Sequence, residues 1–143
     1  MKLTTFTDYS LRVLIHVATA PEGRATIAEE ARAYGISEHH LVKVVHLLGR
    51  EGFLLNTRGR GGGLQLAIPA AQLRVGRVVR ATEGDDGPVD CAHCAIADAC
   101  KLSAVFAMAM ETFYRVLDGY TLADLVANKR TLTSILHRVP APA

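Results

Sequence analysis

The sequence predicts a mainly α-helical domain that carries one small β-hairpin. Apolar residues recur three and four apart through most of the chain. One short run, Leu64-Gln65-Leu66-Ala67-Ile68, alternates instead, and a glycine-rich stretch precedes it. With 143 residues, half of them apolar and 21% charged, the chain makes about one domain with enough side chains for a core. No run of eighteen apolar residues is present, so no membrane span is expected. The opening MKLTTFTDYS is polar where a signal peptide needs an apolar segment, which predicts a cytoplasmic location. Three cysteines are an odd number, which argues against a disulfide framework.

Taken in order, Thr7 is the expected cap of a first helix with Leu11, Leu14, Ile15 and Ala18 on its apolar stripe. Pro21-Glu22-Gly23 ends it. Thr26, with Glu29 three residues on, forms a capping box for a short second helix that stops at Tyr34-Gly35. Ser37 opens a third helix with Leu41, Val44, Val45 and Leu48 as its stripe. The Gly35-Ile36-Ser37 turn between two short helices has the spacing of a helix-turn-helix. Phe53-Leu54-Leu55 and the alternating run then form two strands. Between them lies Thr57-Arg58-Gly59-Arg60-Gly61-Gly62-Gly63, whose four glycines permit a tight tip and whose two arginines make it basic. A helix-turn-helix followed by a basic hairpin is a winged helix.

Charge agrees with that placement. Residues 1–80 carry eleven Lys/Arg against six Asp/Glu, whereas residues 81–143 carry five against eight. An anionic partner for the first half alone is implied, and duplex nucleic acid is the usual one. Aromatic residues are only 6% and Trp is absent, too few to build stacking platforms for a single strand. The N-terminal part of the third helix is the expected major-groove element, with Ser37, Glu38, His39, His40, Lys43 and His46 as candidate contacts. Arg58 and Arg60 are the expected phosphate or minor-groove contacts of the wing. A winged helix used only for protein contacts is the alternative.

In the second half, Arg74 to Thr82 reads as a short amphipathic helix, and residues 83–90 as an acidic exposed loop. A long helix is expected from Lys101 toward Gly119, with Leu102, Val105, Phe106, Ala109, Phe113, Val116 and Leu117 apolar. Ala104, Ala107, Met108 and Met110 widen that stripe until more than one face must be buried. A homodimer with this helix at its seam is expected, and paired reading heads suit a palindromic duplex site. The alternative is that Thr121-Asp124 and the C-terminal segment fold back over it. The expected organisation is a DNA-binding region over 1–80, a ligand-binding loop over 81–100, and a dimerisation helix with its C-terminal segment over 101–143. Val139-Pro-Ala-Pro-Ala is expected to be a frayed tail.

Cys91, Cys94 and Cys100 all fall in one ten-residue window. Cysteines that served packing alone would be scattered, and this spacing suits metal ligation. Structural zinc takes four ligands in two separated pairs, whereas iron–sulfur clusters tolerate a non-cysteine fourth ligand. Both readings stay open on spacing. Candidate fourth ligands are Asp90, His93, Asp98, Ser103 and the distant Asp8. Asp8 in a first helical turn also simply complements the helix dipole. Catalysis is not expected, because the chain shows no nucleotide fingerprint and RGRGGG lacks the Gly-Lys-Ser/Thr ending of a phosphate-binding loop.

LTTFTDYSLRVLIHVA, YGISEHHLVKVVHLL, RGRGGGLQLA, the cysteine window and LDGYTLADLV together resemble the winged-helix iron–sulfur repressors. That superfamily includes the cluster-biogenesis regulator IscR and the nitric-oxide sensor NsrR. The likeness is greater to the NsrR type, because Ser103 stands where IscR-like members place a histidine ligand. It implies a dimeric repressor with a [4Fe–4S] cluster on Cys91, Cys94 and Cys100, with Asp8 of the partner subunit as fourth ligand. It implies further that nitric oxide reacts with the cluster and DNA is released. A sensor of iron supply or redox state with a [2Fe–2S] cluster on the same cysteines is the alternative.

Overall fold

Thr4, rather than Thr7, caps the first helix. In the computed structural model, which describes residues 1–138, helix α1 spans Thr5–Thr19, and Thr4 Oγ1 accepts from the Thr7 amide at 3.2 Å. Thr7 is turned inward and fully buried. Its hydroxyl meets Thr82 Oγ1 at 2.7 Å and also Glu83 Oε1. Glu83 accepts in addition from the Thr4 amide at 2.8 Å and the Thr4 hydroxyl at 2.9 Å. These bonds hold the Glu83 carboxyl below its ordinary range although partial burial opposes them. Thr7 is thus a tertiary contact, and the cap falls to Thr4.

Helix α2 (Ile27–Tyr34) begins with the expected capping box between Thr26 and Glu29 and ends at Gly35 in the left-handed region (φ 65°). Helix α3 (Glu38–Arg50) is capped by Ser37 and buries Leu41, Val44, Val45 and Leu48, as the spacing predicts. Strands β1 (Leu54–Thr57) and β2 (Gly63–Leu66) pair antiparallel, with Leu54 opposite Leu66 and Thr57 opposite Gly63. A 3-10 turn, Ala70–Gln72, leads into helix α4 (Val75–Glu83). Residues 84–101 form a loop before the long helix α5 (Leu102–Asp118). Helices α6 (Leu122–Leu125) and α7 (Lys129–Leu136) complete the described chain. The tail beginning at Val139 lies outside the described residues.

One apolar core joins both ends of the sequence. Val13, Leu14 and Val17 of α1 pack with Leu41 and Leu48 of α3, Phe53, Leu64, Val78 of α4, and Leu122 and Val126 from the C-terminal segment. Helix α7 lies against α1, where the Thr133 hydroxyl donates to the Thr19 carbonyl at 2.8 Å. The C-terminal helices therefore pack away from α5, whose packing partner is α4.

The α4–α5 crossing depends on Gly76. A Cβ built there would stand 2.1 Å from Asp118 Oδ1. Asp118 in turn takes a two-pronged bond from Arg80 Nη1 (2.9 and 2.8 Å), and the Arg80 guanidinium lies 4.5 Å from the centre of the Tyr114 ring. Gly76→Ala is expected to force the helices apart and cost about 1–3 kcal/mol, the range for overpacking a tight contact. Urea unfolding checks this, and an unchanged midpoint would show that the crossing relaxes freely.

Candidate nucleic-acid interface and metal centre

The reading face of α3 is set by what its opposite face buries. At 100° per residue, the direction opposite Leu41, Val44, Val45 and Leu48 is occupied by His39, Lys43, His46 and Arg50, with Val42 beside them. All five are exposed, Val42 by 52%. Of the residues expected to touch DNA, His39 and Lys43 stand at the centre of this face. Glu38 and His40 lie on its flanks, and His40 turns toward Tyr9 of α1 with ring centres 6.4 Å apart. The Ser37 hydroxyl accepts from the His40 amide at 3.3 Å, so its first task is the cap. Sequence reasoning missed Val42 and Arg50. The signal was available, since Arg50 lies opposite the core stripe and Val42 beside that direction. Val42 presents a branched apolar surface suited to a thymine methyl group.

Strand β1 of the wing packs against α3. Arg58 and Arg60 are exposed at its tip, between strands held in register by the β1–β2 pairing. Ala25, just before α2, forms a bridge to Leu64 of β2 through backbone bonds of 3.1 and 2.7 Å. Gly62 admits no side chain, because a Cβ there would stand 2.1 Å from the Thr57 carbonyl oxygen.

The cysteine loop is built from successive turns. The Cys94 amide donates to the Cys91 carbonyl (3.4 Å), Ala97 to Cys94 (3.1 Å), and Cys100 to Ile96 (2.9 Å). These turns bring Cys91, Cys94 and Cys100 to the wall of one recess of about 130 Å³, together with Val89, Asp90, Ile96, Leu102 and Ser103. The Leu102 amide donates to Cys100 Sγ at 3.4 Å. All three thiols are free. Among the described residues no group of three or more His, Cys, Asp or Glu stands close enough to hold a metal ion without rearrangement. The donor set nevertheless fits a thiophilic metal: three thiols and an N–H···S bond stand at one recess, which Val89, Ile96 and Leu102 line together with Asp90 and Ser103.

The candidate fourth ligands separate. Asp90 and Ser103 line the recess, and His93 does not; the His93 side chain is 91% exposed and 3.9 Å from Asp90. Asp98 is exposed and outside the recess. Asp8 is also outside it, on the first turn of α1, half-exposed and bonded to Arg12 Nε at 2.9 Å. The Arg12 guanidinium lies 5.6 Å from the centre of the Tyr34 ring, and the Tyr34 hydroxyl donates to the Arg12 carbonyl at 3.1 Å. Burial pushes the Tyr34 hydroxyl up to about 12, so it stays a donor. Asp8 is therefore one ion pair away from α2, the first helix of the reading unit.

A helix-turn-helix with a basic wing, followed by a thiol-lined loop and a long helix, defines a winged-helix transcriptional regulator. A family model described as Rrf2, iron-dependent transcriptional regulator, matches residues 3–128, and the chain belongs to that family. It is a regulator and not an enzyme. Among solved structures it is similar to CymR of B. subtilis, described as the global cysteine regulator, at 28% identity over 90% of this chain and 98% of that one, with a TM-score of 0.68. It is also similar to T. potens IscR at 26% identity, over 90% and 88% of the two chains, with a TM-score of 0.73. Oxidised CymR of Staphylococcus aureus matches at 25% identity over 87% and 95%, with a TM-score of 0.70. No helix among the described residues is long and apolar enough to cross a membrane.

Proposed function

We propose that this protein is a homodimeric, cytoplasmic repressor that binds a palindromic duplex operator and senses nitric oxide through a [4Fe–4S] cluster. The observation that carries the sensor reading is the recess on whose wall Cys91, Cys94 and Cys100 stand together, directly before α5. Cys91, Cys94 and Cys100 would hold the cluster, with Asp8 of the partner subunit as the fourth ligand. Bound there, the cluster supplies an iron with one exchangeable oxygen ligand, open to a small diatomic molecule.

The chain's own residues supply the rest. Asp8 would have to leave Arg12 to act as a ligand, and the guanidinium it holds lies over Tyr34 of α2. Glu83 fastens the start of α1 to the end of α4, where the cysteine loop begins. A change in the loop therefore reaches the reading unit through two fixed points. It shifts the DNA equilibrium only as far as the two states differ in affinity. His39, Lys43, His46 and Arg50 enter the major groove with Val42, while Arg58 and Arg60 hold the backbone or the minor groove.

Native mass spectrometry of protein purified without oxygen tests this reading. A dimer with one [4Fe–4S] increment per subunit, lost on nitric-oxide titration, is the expected result. Asp8→Ala should keep its fold and lose most of the nitric-oxide-dependent DNA release. A zinc increment, or an unchanged response in Asp8→Ala, would overturn it. A second reading, a [2Fe–2S] sensor of iron supply or redox state, is favoured by one observation. Asp90 and Ser103 line the recess, so oxygen donors from the same chain are at hand. A [2Fe–2S] increment indifferent to nitric oxide would select it.

A further inference from the structure

We propose that Arg24 is a positioning residue for the wing: it holds the tip so that Arg58 and Arg60 are presented to DNA, and it makes no phosphate contact of its own. The proposal rests on the reading of the wing as a DNA contact. Arg24 lies in the link between α1 and α2, 37 residues before Gly61, yet its Nη1 donates to the Gly61 carbonyl. Its stem lies against the bare face of Gly63, where a Cβ would stand 2.9 Å from Arg24 Cγ and 2.8 Å from the Ala25 carbonyl oxygen. The next residue, Ala25, bridges Leu64 through two backbone bonds. Arg24 and Ala25 thus strap the wing from one side, through its base and its tip.

The chemistry explains why an arginine is used. The tip has left-handed glycines at Gly59 (φ 89°) and Gly61 (φ 73°), with Gly62 between Gly61 and Gly63 (φ 145°). Such a segment has the most backbone freedom to lose when it grips a ligand. Holding it beforehand moves that loss from binding to folding. A carbonyl oxygen is an acceptor that a guanidinium satisfies with a charge-assisted bond. Among the described residues no carboxylate lies within ion-pair distance of Arg24, so the carbonyl is what orients it. Glu29, which lines an open groove together with Arg24, already accepts from the Thr26 amide at 2.7 Å.

Binding by a mutant cycle tests the proposal. The probe is a duplex that the wild-type protein selects from a random-sequence pool, measured by fluorescence anisotropy at one fixed salt concentration with protein purified without oxygen. Arg24→Ala alone is expected to weaken binding by about tenfold, the worth of one charge-assisted hydrogen bond. Added to the Arg58→Ala, Arg60→Ala pair, it is expected to change affinity by less than about twofold, because no wing contact is left to position. Thermal melting should lower the Arg24→Ala midpoint by only about a few degrees, the cost of one bond lost from the folded tip. An equal loss in both backgrounds would show a direct phosphate contact and overturn the proposal, as would no loss in the single variant. Wild-type binding by the Arg58→Ala, Arg60→Ala pair would instead sink the reading of the wing as a DNA contact, and the strap with it.

Discussion

Glutamate at both Val105 and Met108 is expected to split the proposed dimer and with it tight DNA binding. Helix α5 has two apolar faces, as its composition predicts. Phe106, Met110, Phe113 and Leu117 are half-buried on the side that packs against α4. Leu102, Val105, Met108 and Val116 remain 48%, 54%, 68% and 59% exposed. The C-terminal helices do not cover them, since α6 and α7 pack on α1. A bare apolar stripe of this length marks an interface. By two-fold symmetry, two glutamates per chain place four carboxylates in one seam. Burying each costs several kcal/mol, so the dimer constant should weaken by about a thousandfold or more. Sedimentation velocity reads the mass, and anisotropy with a selected duplex reads the loss of paired half-sites. A variant that stays dimeric at the wild-type concentration would place the seam elsewhere.

Stability is expected to fall as pH rises above 6.5, and Glu30→Gln to abolish that fall. His16 of α1 and Glu30 of α2 are both fully buried, 3.7 Å apart, and neither side chain has a hydrogen-bond partner among the described residues. Burial pushes the Glu30 carboxyl up to about 9, with Glu29 adding to it, and pushes the His16 imidazole down to about 4, with His137 adding to it. Both side chains are held uncharged. The groups around them are Glu29 and Tyr34 on α2 and His137 just after α7, whose ring centre is 4.2 Å from that of His16. Between pH 4.5 and about 9 the folded chain keeps a Glu30 proton that the unfolded chain loses, so stability drops with rising pH. Between about 4 and 6.5 the unfolded chain alone holds the His16 proton, so that contribution drops with falling pH. The slopes cancel from 4.5 to 6.5 and leave a plateau. Above it the decline approaches about 1.4 kcal/mol per pH unit. Urea titrations across this window read it, and a Glu30→Gln profile that tracks the wild type would refute the assignment.

Much of the DNA-reading half was legible in the sequence because its signals are local. Thr26 and Glu29 cap one turn of helix, Gly35 takes a left-handed backbone, and the Leu41–Leu48 stripe repeats within one element. Each signal acts over a few residues, where sequence distance and spatial distance agree. The site was legible in part for the same reason. Cys91, Cys94 and Cys100 are near neighbours in sequence, and turns alone gather them on one recess. Val42 and Arg50 were overlooked although the same periodicity points to them.

Other features became visible only through contacts between residues far apart in the chain. Thr7 and Thr4 are equally good caps in isolation. The choice between them was made 75 residues away, where Thr82 and its neighbour Glu83 receive the Thr7 hydroxyl. His16 and Glu30 look like exposed polar residues until packing seals them together. Arg24 reads as one more surface charge until the wing folds back against it. The sequence alone determined helices α1 to α5, the hairpin and the thiol window, because propensity, capping and periodicity are properties of short segments. The tertiary structure decided which polar groups lost water, which charge became a strap and which apolar face stayed bare, because burial is a property of the packed chain.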